Sequence, residues 1–149
     1  MSEVQEQLVI VDASGQIVGR MASRVAKLLL EGKRVVIVNA EEAVLSGEPK
    51  RVIEGYMKMF KVQTYRNPER QGIRRERSPQ RIIKSAIKGM LPYRKPRGRQ
   101  ALKRLRVYVG VPDEFRDKEK IRFTDADAGK LQSKYIKVGD LARLMGWRG

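Results

Sequence analysis

Residues 87–105, with the sequence IKGMLPYRKPRGRQALKRL, carry seven Lys or Arg residues and no acidic residue. Near the centre of this stretch the cations alternate with Pro96 and Gly98, two residue types that disfavour a helix interior. The four central cations are Arg94, Lys95, Arg97 and Arg99. We therefore expect an open backbone that follows a phosphate chain, because a guanidinium pairs with two phosphate oxygens at once.

Tyr93 stands directly before these cations, and two roles are open to it. Its ring can stack on an unpaired base or ribose of RNA, or it can pack on the protein's own core. The chain has neither a zinc-finger pattern nor the aromatic motif of RNA-recognition modules. Recognition of backbone and shape is therefore favoured over sequence reading, and folded RNA over duplex DNA. A helix-turn-helix stays open on pattern alone, although the βαβ start described below argues against it.

The positive charge is concentrated in the middle of the chain. The 149 residues, a length that fits one domain, include 33 Lys/Arg and 17 Asp/Glu, for a net charge of +16. Residues 50–106 contain 19 of the cations and three acids, a balance of +16, whereas the remainder contains 14 of each. This distribution predicts a polyanionic partner, with nucleic acid ahead of an anionic membrane surface.

Composition excludes several classes of chemistry. Cys and His are absent, so the chain has no disulfide, no thiolate nucleophile and no Cys-based zinc site. GQIVGR at 15–20 has three residues between its glycines, whereas a Walker A loop has four, followed by Lys and Ser/Thr. We expect no cofactor, no metal and no small-molecule substrate. The longest apolar runs span four or five residues and the N-terminus lacks a signal peptide, so we expect a cytoplasmic protein with no membrane partner.

The first forty residues predict a βαβ unit. Residues 8–13 and 34–40 are buried-strand runs, and 20–31 has helical periodicity with Gly32 as its candidate C-cap. Because the connections are short, we expect parallel strands and a right-handed crossover. The polar side of this helix carries Arg20, Arg24 and Lys27.

Two more basic amphipathic helices are predicted downstream. One covers 48–60, and the other covers 79–91, with Ser78 and Pro79 as an N-cap and first-turn pair and Pro92 as its stop. The polar residues 61–78 between them predict a loop or extended arm. The core-facing residues of the second helix are Ile82, Ile83, Ala86, Ile87 and Met90. Its outward cations are Arg81, Lys84 and Lys88.

The remaining elements are shorter. We expect a helix at 98–105, a strand at 105–110, and a C-terminal strand followed by a helix capped by Asp140. The three basic amphipathic helices turn their apolar sides inward and can cover a small, mostly parallel sheet on both sides. The carboxylates of Asp12, Glu41 and Glu42 have no nucleophile beside them in sequence, so turn or surface roles are expected.

Two long stretches resemble a known family. VDASGQIVGRMASRVAKLLLEGKRVVIVNAEEAVLSG and AIKGMLPYRKPRGRQALKRLRVYVG are similar to the universal large-subunit ribosomal protein family thirteen over residues 8–112. The bacterial branch has an insert before the second strand and a His-containing segment after it. Neither is present here, so the chain resembles the archaeal and eukaryotic branch. The resemblance implies an α/β fold, a three-layer α/β/α arrangement with a mainly parallel four-stranded sheet. With it we expect one domain over 1–149, a basic arm and a C-terminal helical extension at 113–149.

The resemblance also implies a function. It is that of a structural constituent of the large ribosomal subunit, not an enzyme, in contact with large-subunit rRNA and neighbouring ribosomal proteins on the cytoplasmic ribosome. By motif, the implied RNA contacts are Lys88, Arg94, Lys95, Arg97 and Arg99, followed by Arg20 and Arg24. By charge or position alone, we add Lys50, Arg51, Lys58, Arg74, Arg75, Arg77, Arg81, Lys84, Tyr93, Lys103 and Arg104.

Two alternatives to the ribosomal role stay open. A free regulatory RNA- or mRNA-binding protein needs no different residues. An RNA-modifying enzyme needs a cofactor cleft or a cluster of metal-binding carboxylates, and residues 50–106, where RNA is expected to lie, hold only three acids.

Overall fold

The α/β architecture is built from five strands and five α-helices in the part of the chain that the computed structural model describes, residues 7–60, 78–130 and 134–148. The strands are β1 (Leu8–Asp12), β2 (Arg34–Val38), β3 (Val44–Ser46), β4 (Leu105–Val107) and β5 (Tyr135–Lys137). The helices are α1 (Val18–Leu30), α2 (Pro49–Phe60), α3 (Pro79–Gly89), α4 (Pro96–Lys103) and α5 (Val138–Leu144).

The central sheet is parallel, with the strand order β1-β2-β4. The register pairs Leu8 with Arg34 and Val35 with Leu105. This confirms the α/β class and the parallel βαβ start. Within the described residues the sheet has three strands instead of the four expected. On the free edge of β1 the fourth place is taken by a one-residue bridge, in which Ile121 donates to Ile10 O at 2.8 Å and accepts from Asp12 N at 2.9 Å.

The main core lies between one face of the sheet and helices α1, α3, α4 and α5. Helix α1 buries Met21, Val25 and Leu29 completely, as its periodicity predicts. Burial of each such side chain contributes about 1.5–3 kcal/mol. The C-cap residue is Glu31, and the predicted Gly32 follows it, with φ +94° and its N–H donating to Leu29 O at 3.1 Å; Gly32 thus ends the helix from the next position.

The other face of the sheet is covered by a different part of the chain. Ile10, Val36 and Val38 pack there against the buried Phe115 ring. Phe115 lies in a single 3-10 turn, Asp113–Phe115, and its ring centroid is 5.9 Å from that of Tyr108. Within the described residues the layer on this face of the sheet therefore consists of a short 3-10 turn and its neighbours, without an α-helix. Later residues return to the main core, because Ala126, Ile136 and Leu141 are buried there.

Helix α3 begins as predicted and ends earlier. Ser78 Oγ accepts from Arg81 N–H at 3.4 Å, which confirms the cap, with Pro79 in the first turn. The helix stops at Gly89, two residues before the expected end. The prediction that Met90 faces the core is therefore wrong. Met90 is 45% exposed, and the buried place is taken by Leu91 after the chain leaves the helical path.

Helix α4 overturns the expected open backbone over residues 96–99. The helix expected at 98–105 is present, two residues earlier, at Pro96–Lys103. It starts at Pro96, where a missing N–H costs nothing because the first turn has no intrahelical acceptor for it. Gly98 lies inside the helix and against the preceding turn. A Cβ at this position would stand 2.1 Å from the Pro92 carbonyl oxygen. Glycine is thus required here for close approach, and it does not interrupt the helix.

The C-terminal elements form a small second sheet and a short helix. Strands β3 and β5 are antiparallel, with Leu45 opposite Ile136. The prediction that Asp140 caps the last helix is wrong, because α5 begins at Val138 with Lys137 at the N-cap position. Asp140 lies in the first turn of the helix and pairs with Arg143 at 3.3 Å. None of the helices in the described residues is long and apolar enough to cross a bilayer.

Candidate nucleic-acid interface

Helices α3 and α4 and the turn between them present a row of exposed cations, which we call the α3–α4 surface. Its members are Arg81, Lys84, Lys88, Arg94, Lys95, Arg97, Arg99 and Lys103, all exposed. The helices are held from the opposite side by the buried residues Ile83, Ile87 and Ala101. The cations are therefore fixed on a rigid support, as the amphipathic pattern of α3 predicted.

Most of these cations are neighbours along one path, whereas Arg97 lines a separate groove with residues of α1. Arg81, Lys84 and Lys88 follow one another at helical spacing, so they share a face of α3. Lys88 lies beside Tyr93, with its Nζ 4.1 Å from the ring centroid. Arg99 Nη2 donates to Arg94 O at 3.5 Å, which brings the first turn of α4 against the connecting turn.

The α3–α4 surface has no counter-charge of its own. Residues 78–112 include ten Lys/Arg and no Asp/Glu. In the described part of the chain, the ion pairs lie elsewhere and leave these eight cations without a carboxylate. The pairs are Arg24–Asp125, Lys33–Glu31, Arg51–Glu48, Arg116–Asp113, Lys137–Glu42 and Arg143–Asp140. The field over this surface is thus strongly positive, and it favours a polyanion.

The two predicted cations of α1 are in a different electrostatic situation. Arg20 Nη1 donates to the Asp125 carbonyl oxygen at 3.2 Å, and Arg24 forms an ion pair with the Asp125 carboxylate. Both guanidinium groups remain exposed. The carboxylate balances part of the charge of Arg24, and the carbonyl occupies a donor of Arg20, so both are weaker candidates for phosphate contact than the α3–α4 surface.

Arg104 has an internal contact. It is half-buried, and its Nη1 donates to the Leu29 carbonyl oxygen at 2.8 Å, at the C-terminal end of α1. A cation is stabilising at a helix C-terminus because the last carbonyl oxygens there carry partial negative charge. This residue, at the junction of α4 and β4, therefore ties that junction to α1, and sequence position alone could not distinguish it from its exposed neighbour Lys103.

The remaining predicted cations divide into two groups. Lys50 and Arg51 are exposed in the first turn of α2, and Arg51 is 3.7 Å from Glu48. Outside the described residues lie the predicted arm at 61–78 except Ser78, with Arg74, Arg75 and Arg77 in it, and the side chain of Lys58.

Tyr93 lies on the surface and not in the core. It is 42% exposed and lines an open cleft between the end of α3 and the start of α4. This excludes the alternative in which its ring packs on the protein's own core.

The carboxylates at the ends of β1 and β2 have turn roles, as expected. Asp12 Oδ1 accepts from Ser14 N–H at 3.0 Å and from the Asn39 amide at 3.1 Å. Burial raises the pKa of Asp12, but these hydrogen bonds and the charge of Arg122 outweigh it, so the pKa lies below its ordinary value. The Glu41 carboxylate accepts from Gly110 N–H at 2.9 Å.

Two further exposed cations, Lys27 and Arg106, were not among the predicted RNA contacts. Lys27 of α1 lines a groove together with Met90 and Arg97, which places it at the border of the α3–α4 surface. Its position on the polar side of α1 was the signal that could have included it. Arg106, on β4, is also exposed, and its Nη1 donates to Leu105 O at 2.9 Å.

Comparison with known proteins decides the family. The profile of the family described as "Ribosomal protein L13" matches residues 6–114, which include α1 and the whole α3–α4 surface. The chain belongs to the ribosomal protein L13 family.

Relatives in the L13 family extend the similarity over nearly the full length. The protein named "Large ribosomal subunit protein uL13" from Saccharolobus solfataricus is 52% identical over 148 residues, covering 99% of both chains. The protein of that name from Aeropyrum pernix is 52% identical over 141 residues, covering 95% of this chain and 91% of its own. The one from Archaeoglobus fulgidus is 40% identical over 146 residues, covering 97% and 91%. These relatives are archaeal, which agrees with the branch predicted from the absence of the bacterial features.

Proposed function

We propose that this L13 family member is a structural constituent of the large ribosomal subunit that binds large-subunit rRNA through the α3–α4 surface. The names of its relatives support the assignment to the large subunit. The observation that supports this binding site is the row of eight exposed cations on α3, α4 and the turn between them. The opposite sides of both helices are buried, and the stretch contains no acid.

The mechanism is electrostatic. Where rRNA helices approach one another, their phosphates repel. A protein that places fixed cations between them replaces the condensed counterions and allows the RNA to pack. The described cations are Arg and Lys side chains on helices and a turn that are already folded, so binding phosphate orders side chains but not backbone. The contacts are to backbone, so they fix register and shape and do not read bases.

The setting follows from the same proposal. The partners are large-subunit rRNA and neighbouring ribosomal proteins, the location is the ribosome in the cytoplasm, and the chain has no catalytic part. The Arg20 and Arg24 pair on α1 forms a second, weaker contact, since Asp125 already balances part of its charge.

Co-sedimentation with large subunits through a gradient tests this proposal. The test variant replaces Arg94, Lys95, Arg97 and Arg99 with Gln. The matched control replaces four exposed cations elsewhere, Arg116, Lys118, Arg143 and Arg148, with Gln. Both variants lower the net charge by four.

We expect incorporation of the test variant to fall at least about tenfold at physiological salt, because phosphate contacts dominate the affinity. The control variant is expected to incorporate nearly as the unchanged chain does. Equal losses in the two variants would mean that net charge matters and the location of the site does not.

A further inference from the structure

The cleft beside Tyr93 has a composition that differs from the rest of the α3–α4 surface. It has a volume of about 640 Å³, within the range of roughly 300–1,000 Å³ of small-ligand sites. It is lined by apolar surface from Leu91 and Pro92, by the ring of Tyr93, and by Lys88, Arg94 and Lys95. Phosphate binding alone requires only cations, whereas this cleft adds an aromatic and apolar lining.

The Tyr93 ring is held in place and is still accessible. Its backbone N–H donates to Leu91 O at 2.8 Å, in the turn between the helices. The Lys88 ammonium lies 4.1 Å from the ring centroid, so a cation–π contact restrains the side chain. With 42% of the residue exposed, ring surface remains available to a ligand.

The cations around the ring fit the charge of a nucleotide. Lys95 is the N-cap residue of α4, and the first turn of this helix carries no acid. The positive end of the α4 macrodipole thus lies at the edge of the cleft, beside Arg94 and Lys95. An aromatic ring in a cleft that Lys88, Arg94 and Lys95 also line matches a base and its flanking phosphates.

We propose that this cleft binds a single unpaired nucleotide of RNA, with its base stacked on Tyr93 and its phosphates paired with Lys88 and Lys95. The inference rests on the proposed function and deepens it. The α3–α4 surface then recognises a place where a nucleotide leaves a paired region, not a continuous duplex. Stacking on an aromatic side chain is tolerant of base identity, so no particular base is required.

Two RNA probes separate stacking from phosphate contact. One is a uridine octamer that carries one 2-aminopurine, whose fluorescence falls when it stacks. The other is a 12-base-pair RNA duplex. The variants are Tyr93→Leu, which removes the aromatic face, and Tyr93→Phe, which retains it. Tyr135→Leu is the matched control, since Tyr135 is 46% exposed and lies in the separate β3–β5 sheet.

The unchanged chain is expected to quench the octamer. In Tyr93→Leu the affinity for the octamer falls about tenfold and the quenching is lost, while duplex affinity stays within about twofold. Tyr93→Phe and Tyr135→Leu behave as the unchanged chain does. If Tyr93→Leu binds and quenches the octamer normally while the duplex is bound, the nucleotide site is wrong and the phosphate surface stands. If the unchanged chain binds neither probe, both proposals are wrong.

Discussion

Arg24 Nε donates a hydrogen bond to Asp125 Oδ2 at 3.0 Å, across 101 positions of sequence. The same acidic residue accepts from Arg20 through its carbonyl oxygen. One residue of the C-terminal third therefore restrains both arginines of α1. Because the carboxylate is about half exposed, a phosphate can compete with it for the guanidinium.

Replacing Asp125 with Asn is expected to strengthen RNA binding about two- to fivefold, because Arg24 then retains its full charge for phosphate, while the contact of Arg20 with the backbone carbonyl is unchanged. Stability should change by less than about 1 kcal/mol, as is usual for exposed ion pairs. Asp117→Asn, at another exposed acid, is the control for the change in net charge. Filter binding to large-subunit rRNA measures both variants. An equal gain in the two variants would contradict the idea that Asp125 shields α1.

The two glycines of α3 and α4 predict opposite responses to alanine. At Gly98 a Cβ would stand 2.1 Å from Pro92 O, so Gly98→Ala must displace backbone and should cost about 2 kcal/mol or more. At Gly89 nothing lies within 4 Å, so Gly89→Ala should be neutral or stabilise by up to about 1 kcal/mol. Urea unfolding of the two variants gives both values. Similar results for the two would argue against the close packing of α4 on the Pro92 turn.

The sequence predicted the elements whose signals are local. The periodicity of α1, the Ser78–Pro79 cap and the parallel pairing of β1 with β2 each follow from residues close together in the chain. The helix expected at 98–105 forms at Pro96–Lys103, two residues earlier, because Pro96 and Gly98 do not act as helix breakers here. Pro96 is in the first turn of the helix, where proline is tolerated. Gly98 packs against the Pro92 carbonyl oxygen, a contact that local sequence patterns do not predict.

In the candidate site, too, the features with local signals could be predicted and those that depend on long-range contacts could not. Basic residues on the outward side of α3 could be assigned from periodicity alone. The contacts that distinguish one cation from another are long-range: Arg24 with Asp125, and Arg104 with Leu29. Such long-range contacts cannot be predicted from a local sequence pattern. The accessibility of Tyr93 likewise depends on where α3 ends, which was misplaced by two residues.

Arg104 and Lys103 should respond differently although they are adjacent. Arg104→Gln removes a charged donor from the Leu29 carbonyl and is expected to lower the free energy of unfolding by about 1–2 kcal/mol. Lys103→Gln is exposed and should leave stability unchanged within about 0.5 kcal/mol while weakening RNA binding. Thermal unfolding and RNA titration of both variants test this. A stability loss in Lys103→Gln equal to that in Arg104→Gln would contradict it.

The lowered pKa of Asp12 predicts how the stability of the protein depends on pH. Its pKa is lowered in the folded state, so its ionised form stabilises the protein above the unfolded pKa. That stabilisation is lost as the pH falls through the folded pKa. Asp12→Asn should therefore be less stable than the unchanged chain by about 1 kcal/mol at pH 7, and the difference should shrink below about pH 4. Denaturant unfolding at pH 7 and at about pH 3 measures it, and an undiminished difference at the lower pH would contradict this assignment.

The salt dependence of binding to protein-free large-subunit rRNA tests the central claim most directly. If about ten phosphates are contacted, the logarithm of the association constant falls with the logarithm of salt concentration with a slope on the order of −7 to −9. Replacing Arg94, Lys95, Arg97 and Arg99 with Gln should make that slope shallower by about 3. Identical slopes for the unchanged chain and this variant would show that the α3–α4 surface does not contact phosphate.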